Sequence, residues 1–124
     1  MNKKIFSDKA PKAVGPYVHA VEGGGLLFVS GQLGINPNTD VLEDGIEEQA
    51  WQALRNMEAI LETAGYSLED VTKTTIFMKD MDDFSKVNEI YGEFFGEYKP
   101  ARSCIQAAKL PKDGLIEIEC LAFK

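Results

Sequence analysis

Apolar positions along the chain change period several times, and each change marks an element. Ile5-Phe6, Tyr17 to Val21 and Leu26 to Ser30 are short apolar runs that read as strands. Glu22-Gly23-Gly24-Gly25 lies between the last two as a glycine-rich turn, so the chain is expected to begin with a hairpin. Gly31 to Asp44 reads as a loop, dense in turn formers over Asn36-Pro37-Asn38-Thr39-Asp40, and at this length the loop is expected to line a site. From Ile46 the period becomes helical: Ile46, Ala50, Ala53, Leu54, Met57, Leu61 and Ala64 predict an amphipathic helix over 46–64, stopped by Gly65. Val71 to Met78 is a strand. Asp82 is placed to cap a second helix, on which Phe84, Val87, Tyr91, Phe94 and Phe95 recur at helical spacing until Lys99-Pro100 ends it. Strands at Arg102 to Ala107 and Leu115 to Phe123, separated by Leu110-Pro111-Lys112-Asp113-Gly114, complete the pattern.

The order β-β-β-α-β-α-β-β predicts an α+β fold: a mixed six-stranded sheet with two helices packed on one face, in one domain spanning residues 1–124. In the last strand Ile116, Ile118, Cys120 and Ala122 point one way while Leu115, Leu121 and Phe123 point the other, and Leu26 to Val29 is apolar on both faces too. Two helices cover only one side. The helix-free face therefore calls for a partner subunit, with clefts between chains.

Composition narrows the classes of function. At 44% hydrophobic and 27% charged residues the chain reads as a soluble globular domain, with no apolar run long enough to span a membrane. The N-terminus has no apolar run of the secretory kind, which makes a cytoplasmic location the expectation. A formal charge of −7, with the eleven lysines scattered, disfavours nucleic acid as a partner. His19 is the only histidine and the two cysteines, Cys104 and Cys120, show no paired spacing, so no metal site is expected.

Arg102 is the candidate that stands out, as one of two arginines, set in Pro100-Ala101-Arg102-Ser103-Cys104 before an apolar stretch. Its planar fork suits a single carboxylate bidentately, as lysine does not. Taken alone, Arg102 still reads as a structural ion-pair partner, because twenty acidic residues surround two arginines. Arg55, with Glu58 at i+3, is assigned a structural or interfacial role. Glu119 alternates with Leu121 and Phe123, and a carboxylate there needs a partner or a wet cleft. Cys104 has no base near it in sequence, so its thiol is expected to be dispensable. His19 reads as a surface or interface residue, and Phe84, Phe94 and Phe95 as core.

Several motifs occur together in order: Gly15-Pro16-Tyr17, Ser30-Gly31-Gln32, Gln49 with Ala53-Leu54-Arg55-Asn56, and Phe84 with Val87-Asn88 and Tyr91. Pro100-Ala101-Arg102-Ser103, Leu110-Pro111 and Glu117-Ile118-Glu119 follow them. With these the chain resembles, over essentially its whole length, the RidA (YjgF) family of small reactive-intermediate deaminases. The resemblance implies a homotrimer whose sheets form a central barrel, with active sites in the clefts between subunits. It implies hydrolysis of enamines and imines, such as 2-aminoacrylate, 2-iminopropanoate and 2-iminobutanoate, to 2-oxo acids and ammonia, with no cofactor. By the same resemblance Arg102 clamps the substrate carboxylate, Cys104 contributes its backbone, Glu119 holds the attacking water, and Tyr17, Ser30, Gly31 and Asn88 line the pocket. Val18-His19 stands where the family often has Ser-Gln, Asp40 where glycine is common and Cys120 where alanine is frequent. Two other functions remain open: an endoribonuclease or translation inhibitor, a label this family also carries, and a non-catalytic metabolite-binding or chaperone-like trimer.

Overall fold

The structure, a computed structural model, describes all residues from Met1 to Lys124. Its strands are β1 (Lys3–Ile5), β2 (Ala20–Gly23), β3 (Leu26–Leu33), β4 (Ile35–Asn36), β5 (Val41–Leu42), β6 (Val71–Met78), β7 (Ala101–Gln106) and β8 (Ile116–Phe123). The helices are α1 (Gly45–Thr63) and α2 (Phe84–Phe95). Six strands form the main sheet in the order β1-β2-β3-β8-β6-β7, while β4 and β5 form a separate small hairpin. Only the β6–β7 pair is parallel, because α2 carries the chain back across the sheet between them.

The alternation read from β8 decides how the layers stack. Ile116, Ile118, Cys120 and Ala122 are buried, and with Leu27, Val29, Ile76 and Met78 they face Ala50, Ala53, Leu54, Met57, Ile60 and Leu61 of α1 and Val87, Tyr91 and Phe95 of α2. On the other face Leu26 pairs with Phe123 and Phe28 with Leu121. These four side chains are between 37% and 53% exposed. The apolar, helix-free face is therefore present as the pattern predicted, and it is bare in a single chain. At one edge β7 pairs with β6 alone, so its outer side carries unpaired backbone groups.

Some boundaries differ from the sequence reading. Tyr17 to His19 lie outside β2, because Gly15 at φ 117 turns the chain and Tyr17 N–H donates to Gly15 C=O. The strand from Leu26 continues through Gly31-Gln32-Leu33 with a bulge between Val29 and Gln32, where a loop was expected. Gly31, Gln32, Leu33 and Ile35 of the expected loop do line a cleft, while the Asn36 to Asp40 stretch is not part of that lining. It closes the β4–β5 hairpin, with Asp40 at φ 61, a left-handed position that explains why glycine suits it. The entry to α2 is a short 3₁₀ turn capped by Asp80, whose carboxylate accepts from Asp82 N–H, so Asp82 is not the cap. The same helix ends at Gly96, φ 58, before Lys99-Pro100 is reached. His19 is buried, not superficial: Ser7 N–H donates to Nδ1 at 2.9 Å, and Nε2 lies 2.8 Å from the Pro11 carbonyl.

Two amides of α1 stitch the irregular segments to the core. Asn56, 1% exposed, donates from Nδ2 to the carbonyls of Leu33 at 3.1 Å and Ile35 at 2.8 Å. Gln49 donates to the Glu43 carbonyl and accepts from Leu115 N–H. Gly34 lets this part of the chain close on α1, since a Cβ there would overlap the Gln49 backbone. Asn56→Leu should leave the two carbonyls without donors and cost about 2 kcal/mol or more of stability. Urea unfolding of the two proteins measures it.

Candidate active site

Arg102 sits on the edge strand β7, in register with Thr74 of β6 and thus on the helix-covered face of the sheet. Helix α2 presents Phe84, Asn88 and Tyr91 to it, at i, i+4 and i+7, along one face. The guanidinium carbon lies 4.8 Å from the Tyr91 ring centroid and 5.3 Å from that of Phe84. Its Nη1 donates to Asn88 Oδ1 at 2.8 Å. Phe84 is thus a partly buried wall for the arginine more than a core residue.

No carboxylate answers this charge. The one ion pair within 4.0 Å in the molecule is Lys109–Asp113, and the chain holds twenty Asp and Glu residues. Two π faces and one amide oxygen orient a guanidinium without neutralising it, which leaves donors free for an external anion. The cleft around it, about 430 Å³, adds Lys99 and Pro100 to Arg102, Asn88, Tyr91 and Gly92.

A second and larger cleft, about 590 Å³, collects most of the other candidates. Tyr17, Ser30, Gly31 and Glu119 line it, together with Lys12, Val14, Leu33, Ile35, Lys112 and Glu117. The bulge in β3 aims Ser30 and Gly31 at this space. Ser30 Oγ donates to the Val18 carbonyl at 2.7 Å, tying the strand to the segment that carries Tyr17. Gly31 leaves room for the Glu117 carboxylate, since a Cβ there would lie 2.7 Å from Glu117 Oε2 and push that side chain aside.

Within one chain the two clefts do not merge. Glu119 is in register with Thr75 of β6, and Arg102 with Thr74, so strand alternation sends them to opposite faces. Asn88 stays with Arg102, while Tyr17, Ser30 and Gly31 stay with Glu119. Cys104 shares the arginine's face, half-buried with its Sγ 3.8 Å from Met81 Sδ. Burial pushes its thiol up, against a smaller opposing pull from Arg102, so the thiolate is disfavoured.

A protein-family profile described as endoribonuclease L-PSP matches residues 7–124. The 2-iminobutanoate/2-iminopropanoate deaminase of Salmonella typhimurium is 45% identical over 127 residues, covering 100% of this chain and 99% of that one. The chain belongs to the RidA family. A RutC family protein of Pyrococcus horikoshii is 51% identical over 125 residues, covering 100% and 99% of the two chains. Among solved RidA-like structures, Escherichia coli TdcF with bound serine superimposes with a TM-score of 0.95 at 42% identity, covering 98% of each chain.

Four residues near these clefts were not singled out from sequence as site residues. Lys12 and Lys112 come from loops whose position no local pattern reveals, and Lys112 is held there at φ 56. Tyr91 marks helix periodicity and one of the family motifs, and neither shows that it lies beside Arg102. Glu117 was visible in Glu117-Ile118-Glu119, and the same period that places Glu119 in the cleft places it there too. Burial pushes the Glu117 carboxyl above its ordinary 4.5, and the charge of Glu119 adds to this.

The folded chain therefore holds the Glu117 proton more tightly than the unfolded chain does. Its contribution to stability is complete below the unfolded value and is lost as pH rises through the folded value. Glu117→Gln, which cannot ionise, should raise the thermal midpoint at pH 7 relative to the natural protein. That difference should vanish below pH 4.5. Thermal scans across the range decide it.

Proposed function

We propose that this protein hydrolyses 2-imino acids and their enamine tautomers, among them 2-iminobutanoate and 2-iminopropanoate, to 2-oxo acids and ammonia. The observation that carries this reading is the unpaired Arg102, oriented by Phe84, Tyr91 and Asn88 with no acidic partner. The Salmonella relative named for this reaction supports it. An α-imino carbon is already electrophilic, so orientation and a placed water supply much of the rate. Arg102 holds the substrate carboxylate, and the backbone at Cys104 contributes beside it. Glu119 polarises the attacking water and takes its proton, while protonation of the nitrogen lets the tetrahedral carbon release ammonia. Tyr17, Ser30 and Gly31 shape the space around the side chain.

Because Arg102 and Glu119 occupy opposite faces, the working site on this reading lies between two chains of a homotrimer. Burial of the bare apolar face holds the trimer together. One chain supplies Arg102, Asn88 and Cys104, and its neighbour supplies Tyr17, Ser30, Gly31 and Glu119. RNA cleavage, the activity in the family profile's description, fits these residues less well. The single histidine is buried with both ring nitrogens engaged, and the surface carries a net −7.

The deciding experiment generates 2-iminobutanoate in situ with a threonine dehydratase and follows 2-oxobutanoate. The natural protein should accelerate its release, Arg102→Ala should lose about 100-fold in kcat/KM, and Cys104→Ala should retain activity. No acceleration by the natural protein overturns the reading.

Sharing of the site is tested by complementation. Arg102→Ala and Glu119→Gln chains, each strongly impaired alone, are refolded together in equal amounts. About a quarter of the sites should then combine an intact arginine with an intact glutamate and regain turnover. Activity that stays at the level of the separate mutants would mean that the two residues do not meet across an interface.

A further inference from the structure

The guanidinium of Arg102 rests against a tyrosine whose hydroxyl is engaged in the core. Tyr91 is 5% exposed and its OH lies 2.6 Å from Oγ1 of Thr74, which is fully buried on β6. Thr74 is also the residue in register with Arg102 on the neighbouring strand. Strand, hydroxyl pair, aromatic ring and guanidinium thus form a closed loop: β7 to β6 by register, β6 to α2 by the Thr74–Tyr91 bond, and α2 back to β7 by the ring under Arg102. Behind the ring, Phe95 packs at a centroid distance of 4.7 Å and Phe94 meets Phe95 edge-on at 5.1 Å.

Thr74 has no other task in view. Its neighbours along the covered face, Ile76 and Met78, are apolar. A hydroxyl pair in so dry a place contributes little net stability compared with two well-packed apolar groups, but it sets the rotation and height of the ring narrowly. The ring lies under a cation that no acid neutralises, so its placement, with those of Phe84 and Asn88, bears on where the free donors of Arg102 point.

We propose that Thr74 and Tyr91 act as a positioning pair that holds Arg102 in the orientation needed to receive a carboxylate. The proposal rests on the reading of Arg102 as the carboxylate clamp and goes beyond it. Thr74 is fully buried and out of reach of substrate, and Tyr91, although it borders the arginine cleft, is only 5% exposed. Both act through the guanidinium, so their loss changes binding of the carboxylate more than the chemical step.

The test uses Thr74→Val, which keeps the shape of the side chain and removes the hydroxyl, beside Thr74→Ser, which keeps the hydroxyl. Tyr91→Phe and Tyr91→Leu separate the bond from the ring. Thr74→Val and Tyr91→Phe should each raise KM for 2-iminobutanoate about fivefold with kcat little changed, the effect of one lost hydrogen bond. Thr74→Ser should behave as the natural protein, and Tyr91→Leu should raise KM about tenfold or more as the cation–π contact goes. In an Arg102→Ala background Thr74→Val should have no further effect on KM.

A second readout does not depend on turnover: the NMR order parameter of the Arg102 Nε–H should fall in Thr74→Val and Tyr91→Leu and stay high in Thr74→Ser. If Thr74→Val lowers the thermal midpoint while KM and the order parameter remain those of the natural protein, the pair is structural and the proposal is overturned. If the natural protein turns over no imine, the proposed function fails, and the order parameter alone then judges the pair.

Discussion

The period-two alternation of β8 is the constraint on which the rest depends. Ile116, Ile118, Cys120 and Ala122 are committed to the layer beneath α1 because that face holds the core. Glu117, Glu119, Leu121 and Phe123 are thereby sent to the other side, and a one-residue slip would bury both carboxylates. Two consequences follow together. The bare face becomes an apolar surface continuous with Leu26 and Phe28, and at one end of it two acids open into the larger cleft.

Arg102 obeys the same parity with the opposite result. In register with Thr74, it points to the helical side, where α2 supplies a shelf of Phe84, Asn88 and Tyr91. An arginine among twenty acidic residues would ordinarily find one of them. Here the aromatic shelf orients it while the sheet keeps Glu119 away, and both the unpaired charge and the separation of the two clefts arise from that parity. The backbone serves this arrangement directly: the bulge in β3 aims Ser30 and Gly31, and Asn56 and Gln49 pin the segments that carry Leu33, Ile35 and Leu115.

Much of this was legible in the residues. Helix α1 was placed within a residue at each end, because its apolar stripe and Gly65 are local signals. The six strands of the main sheet followed from short apolar runs, and the bare apolar face from residues on both sides of the last strand and of Leu26 to Val29. The misreadings share a physical cause. His19 is buried because Ser7 and Pro11 reach it from a distant part of the chain, and Asp82 lost the capping role to Asp80 through a 3₁₀ turn with no sequence mark of its own. Of the segment from Gly31 to Asp44, the first residues extend a strand and line the larger cleft, while the turn formers from Asn36 to Asp40 satisfy one another in a hairpin.

Sequence by itself determined the two helices and the six strands of the main sheet, the two-faced character of that sheet and the identity of Arg102 and Glu119 as candidates. These are properties of period and residue type, which are local. Only the tertiary structure decided that Arg102 has no acidic partner, that Thr74 and Tyr91 stand behind it, and that Glu119 faces the other way. Each of those facts depends on the register between strands distant in sequence and on which helix covers which face. Long-range pairing of that kind leaves no trace in the spacing of residues along one segment.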